Sequence, residues 1–248
     1  MIMTDPPYNV AIGDKNAILN KVDGGSRIEV NLDNDMMTPE QFLNFLQDAF
    51  GNMAEVLKDG GAFYIWYSGR TIREFTDACL ETGLDVKQNL IWVKQMFVLG
   101  RQDYQWRHEP CLYGWKEGGA HYFIPRRDLT TVAEDTIDID AMSEKEVRDT
   151  LRKMLEGTPA DVIHDKKPAA SRDHPTMKPV TLLARMIFNS SHQGDTVLDP
   201  FGGSGSTMMA CEQLGRRCLM MELDPVYCDV IIKRWEDFTG KRAERVST

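Results

Sequence analysis

Between Thr196 and Gly215 the chain spells out a strand, a glycine-rich turn and a helix in immediate succession, and few folds accommodate that order. Val197 and Leu198 run into Asp199, then Pro200-Phe201-Gly202-Gly203-Ser204-Gly205 follows, and Thr207 to Leu214 reads as a helix stopped by Gly215. Small residues at such a turn let the backbone come close to a nucleotide-type group at the N-terminus of the helix. A second apolar run, Cys218-Leu219-Met220-Met221, ends in Glu222. An acid about twenty residues past the glycines is where such βαβ units meet ribose hydroxyls. The turn is G-x-G rather than a full G-x-G-x-x-G, which disfavours a nicotinamide cofactor.

The rest of the chain alternates in the same way. Thr38 suits an N-cap, Pro39 the first helical position, and Gln41 the closing position of a capping box. Phe42, Leu43, Leu46, Phe50, Met53 and Leu57 then recur at helical spacing as far as Gly60-Gly61. Ala62 to Tyr67 reads as a buried strand, Thr71 to Thr82 as a helix, Asn89 to Val93 as a strand, and Pro225 to Phe238 as a closing helix. This pattern predicts an α/β fold with a mostly parallel, doubly wound sheet. Asn9 to Met37 is polar and without a period. A loop of that length in a compact domain is functional or mobile, and a lid and a loose connection both fit it.

Near the other end lies Thr4-Asp5-Pro6-Pro7-Tyr8. Each proline holds φ near −65° and lacks an N–H, and the residue before a proline is pushed toward extended geometry. The carbonyls of Asp5 and Pro6 therefore point in stiff directions, beside a carboxylate and a ring. That set suits a planar amino group held by its hydrogens while its ring is stacked. The plainer alternative is a proline-stiffened turn leaving a strand.

Together these stretches resemble the amino-methyltransferases of DNA, specifically the adenine-N6 enzymes of the β arrangement. In that family D-P-P-Y comes first, a target-recognition region follows, and F-x-G-x-G comes last. Phe201-Gly202-Gly203-Ser204-Gly205 matches the last motif, and His174-Pro175-Thr176-Met177-Lys178-Pro179 matches the H-P-T-x-K-P segment before it. The resemblance implies a Rossmann-like class I methyltransferase fold with circularly permuted motif order and a small recognition insert. Residues 1–125 would form the catalytic half, 126–172 a target-recognition insert with an acidic helix, and 173–248 the cofactor half. The implied reaction moves a methyl group from S-adenosylmethionine to the N6 amino group of adenine in double-stranded DNA, on a flipped base. Asp5, Pro6, Pro7 and Tyr8 would be catalytic. Asp5, Thr176, Lys178, Asp199, Phe201, Gly203, Ser204, Gly205, Thr207, Glu222 and Asp224 would line the cofactor pocket. Within it, Thr176 and Lys178 would hold the methionyl carboxylate and Glu222 the ribose, while Asp224 would reach the adenine edge or cap the closing helix. Cytosine-N4 enzymes usually carry Ser in place of Asp5, and RNA and protein-glutamine methylases carry N-P-P-Y with the cofactor motif first. A non-catalytic DNA-binding protein keeping the cofactor fold is the reading from another class, and the intact Asp5, Lys178 and Glu222 speak against it.

Charge and composition bear on the partners. At 248 residues and 42 % hydrophobic, the chain can bury the core of one domain, and its length leaves a homodimer open. It has no apolar run of the ~20 residues a membrane span needs and no leader, so a cytoplasmic protein away from membranes is expected. Five cysteines without C-x-x-C, and histidines without ligand spacing, indicate neither disulfides nor metal. A net charge of −9 runs against DNA, whose phosphates call for Lys and Arg. The acid is concentrated, however: Leu129 to Asp165 holds ten acidic residues against four basic ones, while Lys94 to Asp128 holds six basic against four acidic. Ser143 to Gly157 reads as a helix with a Ser143/Glu146 capping box and a solvated acidic face, set away from phosphates. Arg101, Tyr104 and Arg107 are candidates for phosphate or extruded-base contacts; for Tyr104, with Trp106, packing at a sheet edge is the alternative. Arg126, Arg127, Lys166, Lys167 and Arg172 are further recognition candidates.

Overall fold

The computed structural model describes residues 1–10, 36–98, 103–134 and 177–246. Most of the Asn9–Met37 segment, the helix predicted over Ser143 to Gly157, and Arg101, Lys166, Lys167, Arg172 and Thr176 lie outside these residues.

The strands are β1 (Ile2–Thr4), β2 (Ala62–Trp66), β3 (Val86–Val98), β4 (Trp106–Trp115), β5 (Val132–Glu134), β6 (Thr196–Asp199) and β7 (Arg217–Met220). The helices are α1 (Pro39–Val56), α2 (Ile72–Thr82), α3 (Val180–Ser190), α4 (Ser206–Leu214) and α5 (Pro225–Thr239). Among the described residues, all seven strands join one sheet in the order β5-β3-β4-β2-β1-β6-β7. Among them β4 alone runs against the rest, pairing antiparallel with β2 and β3 while the other pairs are parallel. The predicted mostly parallel sheet is what forms.

Both faces of the sheet are covered, which explains why β2 is apolar at every position. Ala62, Tyr64 and Trp66 face a core built with Leu182, Leu183 and Ile187 of α3 and Ala210 of α4. Phe63, Ile65 and Tyr67 face a second core with Phe42, Leu46 and Phe50 of α1 and Phe75 of α2. Fully burying one such Phe contributes roughly 1.5–3 kcal/mol. The α1 capping box forms as predicted: Gln41 N–H donates to Thr38 Oγ1 at 3.3 Å and Thr38 N–H to Gln41 Oε1 at 3.0 Å.

Three features differ from the sequence reading. No element was predicted over Val180–Ser190, yet α3 forms there directly after Lys178-Pro179. Strand β3 outruns Asn89–Val93 at both ends, because β4 offers it a long partner. Finally, β5 lies within 126–172 but belongs to the main sheet, pairing Val132–Glu134 with Ile91–Val93, so that stretch opens as sheet rather than insert. No helix among the described residues is long and apolar enough to cross a membrane.

Candidate active site

Parallel strands end on a common edge, where α/β folds place their sites. The loops leaving β1, β2, β6 and β7 emerge there, and the antiparallel β4 enters there. Asp5 and Tyr8 come from the loop after β1, Lys178 from the lead into α3, and Glu109 from the first half of β4.

Their side chains form one cluster. The Tyr8 hydroxyl donates to Asp5 Oδ1 at 2.5 Å, and the Lys178 ammonium donates to Asp5 Oδ2 at 2.5 Å and to the Tyr8 oxygen at 3.2 Å. Glu109 Oε2 lies 3.0 Å from the same Nζ, and Glu109 Oε1 pairs with Lys94. Lys178 is 5 % exposed and also sits 5.3 Å from the Trp66 ring centre and 5.5 Å from that of Tyr8, distances suited to cation–π attraction. Burial alone would lower the ammonium's pKa, but Asp5 and Glu109 outweigh it and hold the group above its ordinary value. For Glu109, burial would raise the carboxyl; Lys178 and Lys94 prevail and bring it down to about 2. Burial, then the nearby Asp5 and Glu109 charges, push the Tyr8 phenol well up, so it remains a neutral donor.

Beside this cluster lies the glycine turn. Thr4 Oγ1 donates to Asp199 Oδ1 at 2.9 Å, tying the last residue of β1 to the last residue of β6. The two motifs therefore leave adjacent strands, although 195 positions separate those residues. Phe201 N–H also donates to Asp199 Oδ1, at 3.2 Å, and burial pushes the Asp199 carboxyl up to about 7 despite these donors. Gly203 N–H donates to Glu222 Oε2 at 2.7 Å, while Glu222 Oε1 accepts from Asp224 N–H at 2.9 Å. A carboxylate accepts about four hydrogen bonds, so Glu222 keeps capacity for hydroxyl donors. Gly205 caps α4 with φ 82°, a left-handed conformation that favours glycine. The Phe201 ring packs 5.9 Å from Phe45 of α1, walling the turn on one side. These groups fit a ribose-bearing cofactor: an acid, free backbone approach and an aromatic wall meet at a helix N-terminus.

Of the predicted residues, Asp5, Pro6, Pro7, Tyr8 and Lys178 gather at one end of the cluster, and Asp199, Phe201, Gly203, Ser204, Gly205, Thr207 and Glu222 at the other. Lys178 is engaged by Asp5 and Glu109 in this structure. Asp224 caps α5, accepting from Val226 N–H at 2.8 Å. Tyr104 is 92 % exposed, so it does not pack a sheet edge, and Arg107 is exposed with its Nε donating to Lys94 O at 3.0 Å. Arg126 and Arg127 sit elsewhere: their loop is anchored by Ile124 N–H on Asn189 O, at the end of α3 away from Lys178. Arg126 there pairs with Asp128.

Glu109 and Lys94 were not assigned a role from sequence, because only the β3–β4 pairing, with Trp92 opposite Glu109, puts them side by side. Asn9 was also missed. With φ 55°, it donates through Nδ2 to Met37 O at 2.8 Å and accepts from Met37 N–H at 2.7 Å, fixing the chain just after Tyr8 to the start of α1. A separate groove of about 410 Å³, lined by Met208, Cys218, Ile231 and Trp235 among others, opens beside Arg217, at the far end of β7 from Glu222.

The model of the DNA methylase family of N6 and N4 enzymes matches residues 1–234. The chain belongs to this family. Among relatives of the DNA methylase, the type II methyltransferase M.HpaI of Haemophilus parainfluenzae is 27 % identical over 253 residues, covering 97 % of this chain and 69 % of its own length. The type II methyltransferase M2.DpnII of Streptococcus pneumoniae is 28 % identical, covering 95 % and 82 %. The fold matches the M1.HpyAVI–SAM complex with a TM-score of 0.59 at 23 % identity, over 94 % of this chain and 87 % of that one. It also matches the cytosine-N4-specific PvuII DNA methyltransferase with a TM-score of 0.63 at 14 % identity, over 94 % and 78 %. The DNA methylase thus has a class I methyltransferase fold.

Proposed function

We propose that this DNA methylase transfers the methyl group of S-adenosylmethionine to the N6 amino nitrogen of adenine in double-stranded DNA, on a base turned out of the helix. The observation that carries the reading is the Thr4–Asp199 link, which sets the Asp5 carboxylate and the Gly203–Glu222 turn on neighbouring strand ends. Bound at that turn, the cofactor supplies an electrophilic methyl group on a cationic sulfonium.

The chain's own residues do the rest. Glu222 accepts from the ribose hydroxyls, and the turn's backbone permits close approach. An exocyclic amino nitrogen is a poor nucleophile because its lone pair is delocalised into the ring. Asp5 and the Pro6 carbonyl accept its two hydrogens, draw it toward tetrahedral geometry and stabilise the positive charge that develops only in the transition state. Tyr8 presents its ring to the extruded base, whose unstacking costs a few kcal/mol. Alignment by these groups accounts for a large share of the rate. Asp5, rather than Ser, at the head of the motif favours adenine over cytosine. Tyr104 and Arg107, exposed at the same edge of the sheet, are the described residues best placed to meet DNA, and residues 135–172 would supply the remainder of target recognition.

Transfer of labelled methyl to duplex DNA, followed by nucleoside analysis, tests this directly. N6-methyladenine is the expected product; N4-methylcytosine would reject the adenine assignment. Asp5→Ala should abolish transfer while leaving cofactor affinity within about tenfold, roughly 1.4 kcal/mol. Wild-type turnover in that variant would remove Asp5 from the mechanism.

A further inference from the structure

Both oxygens of the Asp5 carboxylate are occupied, one by the Tyr8 hydroxyl and one by the Lys178 ammonium, each at 2.5 Å. Each oxygen has room for a further donor. An ammonium in direct contact, however, neutralises the carboxylate and weakens it as an acceptor, so Asp5 engages a target amino group better when the Lys178 contact yields. Tyr8 is a neutral donor and can remain. Lys178 is a cation with 4 % of its side chain exposed. Stripping it of its counter-charge would be costly, since a buried ion left unpaired loses hydration without recovering it.

The structure holds a second anion for that cation. Glu109 Oε2 is buried, lies 3.0 Å from Lys178 Nζ, and accepts no well-aligned hydrogen bond in this arrangement. Its other oxygen is held by Lys94. Trp92 lies opposite Glu109 across the β3–β4 pair, and Lys94 stands two residues beyond Trp92 on the same face. The carboxylate is therefore fixed by two paired strands, whereas Asp5 sits on a loop.

We propose that Glu109 is a positioning residue that receives the Lys178 ammonium when Asp5 turns to the target amino group. Lys178 stays paired throughout, with its weight shifting from Asp5 to Glu109, and Lys94 keeps Glu109 in place and ionised. No proton changes hands in this shift and no bond is made or broken. The inference rests on the methyl-transfer reading above, with Asp5 as the carboxylate that engages the amino group.

Glu109→Gln keeps the shape and removes the charge. Its single-turnover methyl-transfer rate is expected to fall at least about tenfold, with the cofactor dissociation constant changed less than about threefold. In a Lys178→Met background the same substitution should change the rate by less than about threefold, because Glu109 acts through Lys178. An equal loss in both backgrounds, or a wild-type rate in Glu109→Gln, would overturn the proposal. Should the Gln variant not fold, Glu109→Asp retains the charge one methylene further away and is expected to lose about threefold to tenfold in rate with unchanged cofactor affinity. A wild-type rate there would be equally fatal. Active wild type and inactive Asp5→Ala beside an unaffected Glu109→Gln would remove this inference alone, whereas wild-type protein that transfers no methyl removes the proposed function and this inference with it.

Discussion

Asp199 is 3 % exposed at the end of β6, and its carboxyl stands at about 7 where 3.8 is ordinary. An acid whose folded value is raised binds its proton more tightly when folded. Stability therefore falls as pH rises between those values, by up to roughly 4 kcal/mol at 1.36 kcal/mol per unit. Glu109, lowered to about 2, works in the opposite sense: its contribution is present above about 4.5 and is lost as pH falls toward 2. Asp199→Asn, which removes the titration, should raise the melting temperature relative to wild type more at pH 8 than at pH 5. Thermal denaturation at both values checks it, and an equal difference at the two would contradict the burial argument. At this scale the motif residues were legible: Asp5, Tyr8, Lys178 and Glu222 all reach the carboxyl edge of the sheet. Glu109 was not, since its importance comes from partners on β3 and before α3.

The N-terminus of α4 depends on Gly205. A Cβ there would meet Ile231 of α5 at 3.1 Å, on a backbone already at φ 82°. Left-handed geometry costs a non-glycine residue roughly 1–2 kcal/mol, and the contact adds to it. Gly205→Ala is expected to lose about 1–3 kcal/mol in urea unfolding. A loss below about 0.5 kcal/mol would mean the turn relaxes freely. Elements with local punctuation were readable: the Thr38/Gln41 box, Gly215 after its helix, and Asp224-Pro225 before α5. Helix α3 was not, because its N-cap is Pro179 and no side chain caps its first turn. Its apolar residues are explained by the β2 and β4 side chains they cover, and those lie far away in sequence.

Strand β1 joins the two parts of the molecule. It pairs with β2 on one side and β6 on the other, and the Met1 nitrogen donates to Thr196 O at 2.9 Å. Neither side of the sheet can leave without exposing Ile2 and Met3, both buried. Equilibrium unfolding in urea should accordingly be a single transition, with tryptophan fluorescence, to which the buried Trp66 and Trp92 contribute, coinciding with far-UV circular dichroism. Separate midpoints would show that the cofactor side and the catalytic side unfold independently.

Period, caps and glycines are local properties, and they carried the βα alternation, both motifs and the identities of the residues that meet at the site. Strand order, the antiparallel course of β4 and the Lys94–Glu109–Lys178–Asp5 chain of charges depend on contacts between distant positions, Thr4 and Asp199 among them at 195 residues apart. Hydrogen bonding between strands and the pairing of buried charge are energies of proximity, and proximity between distant segments exists only once the chain has folded.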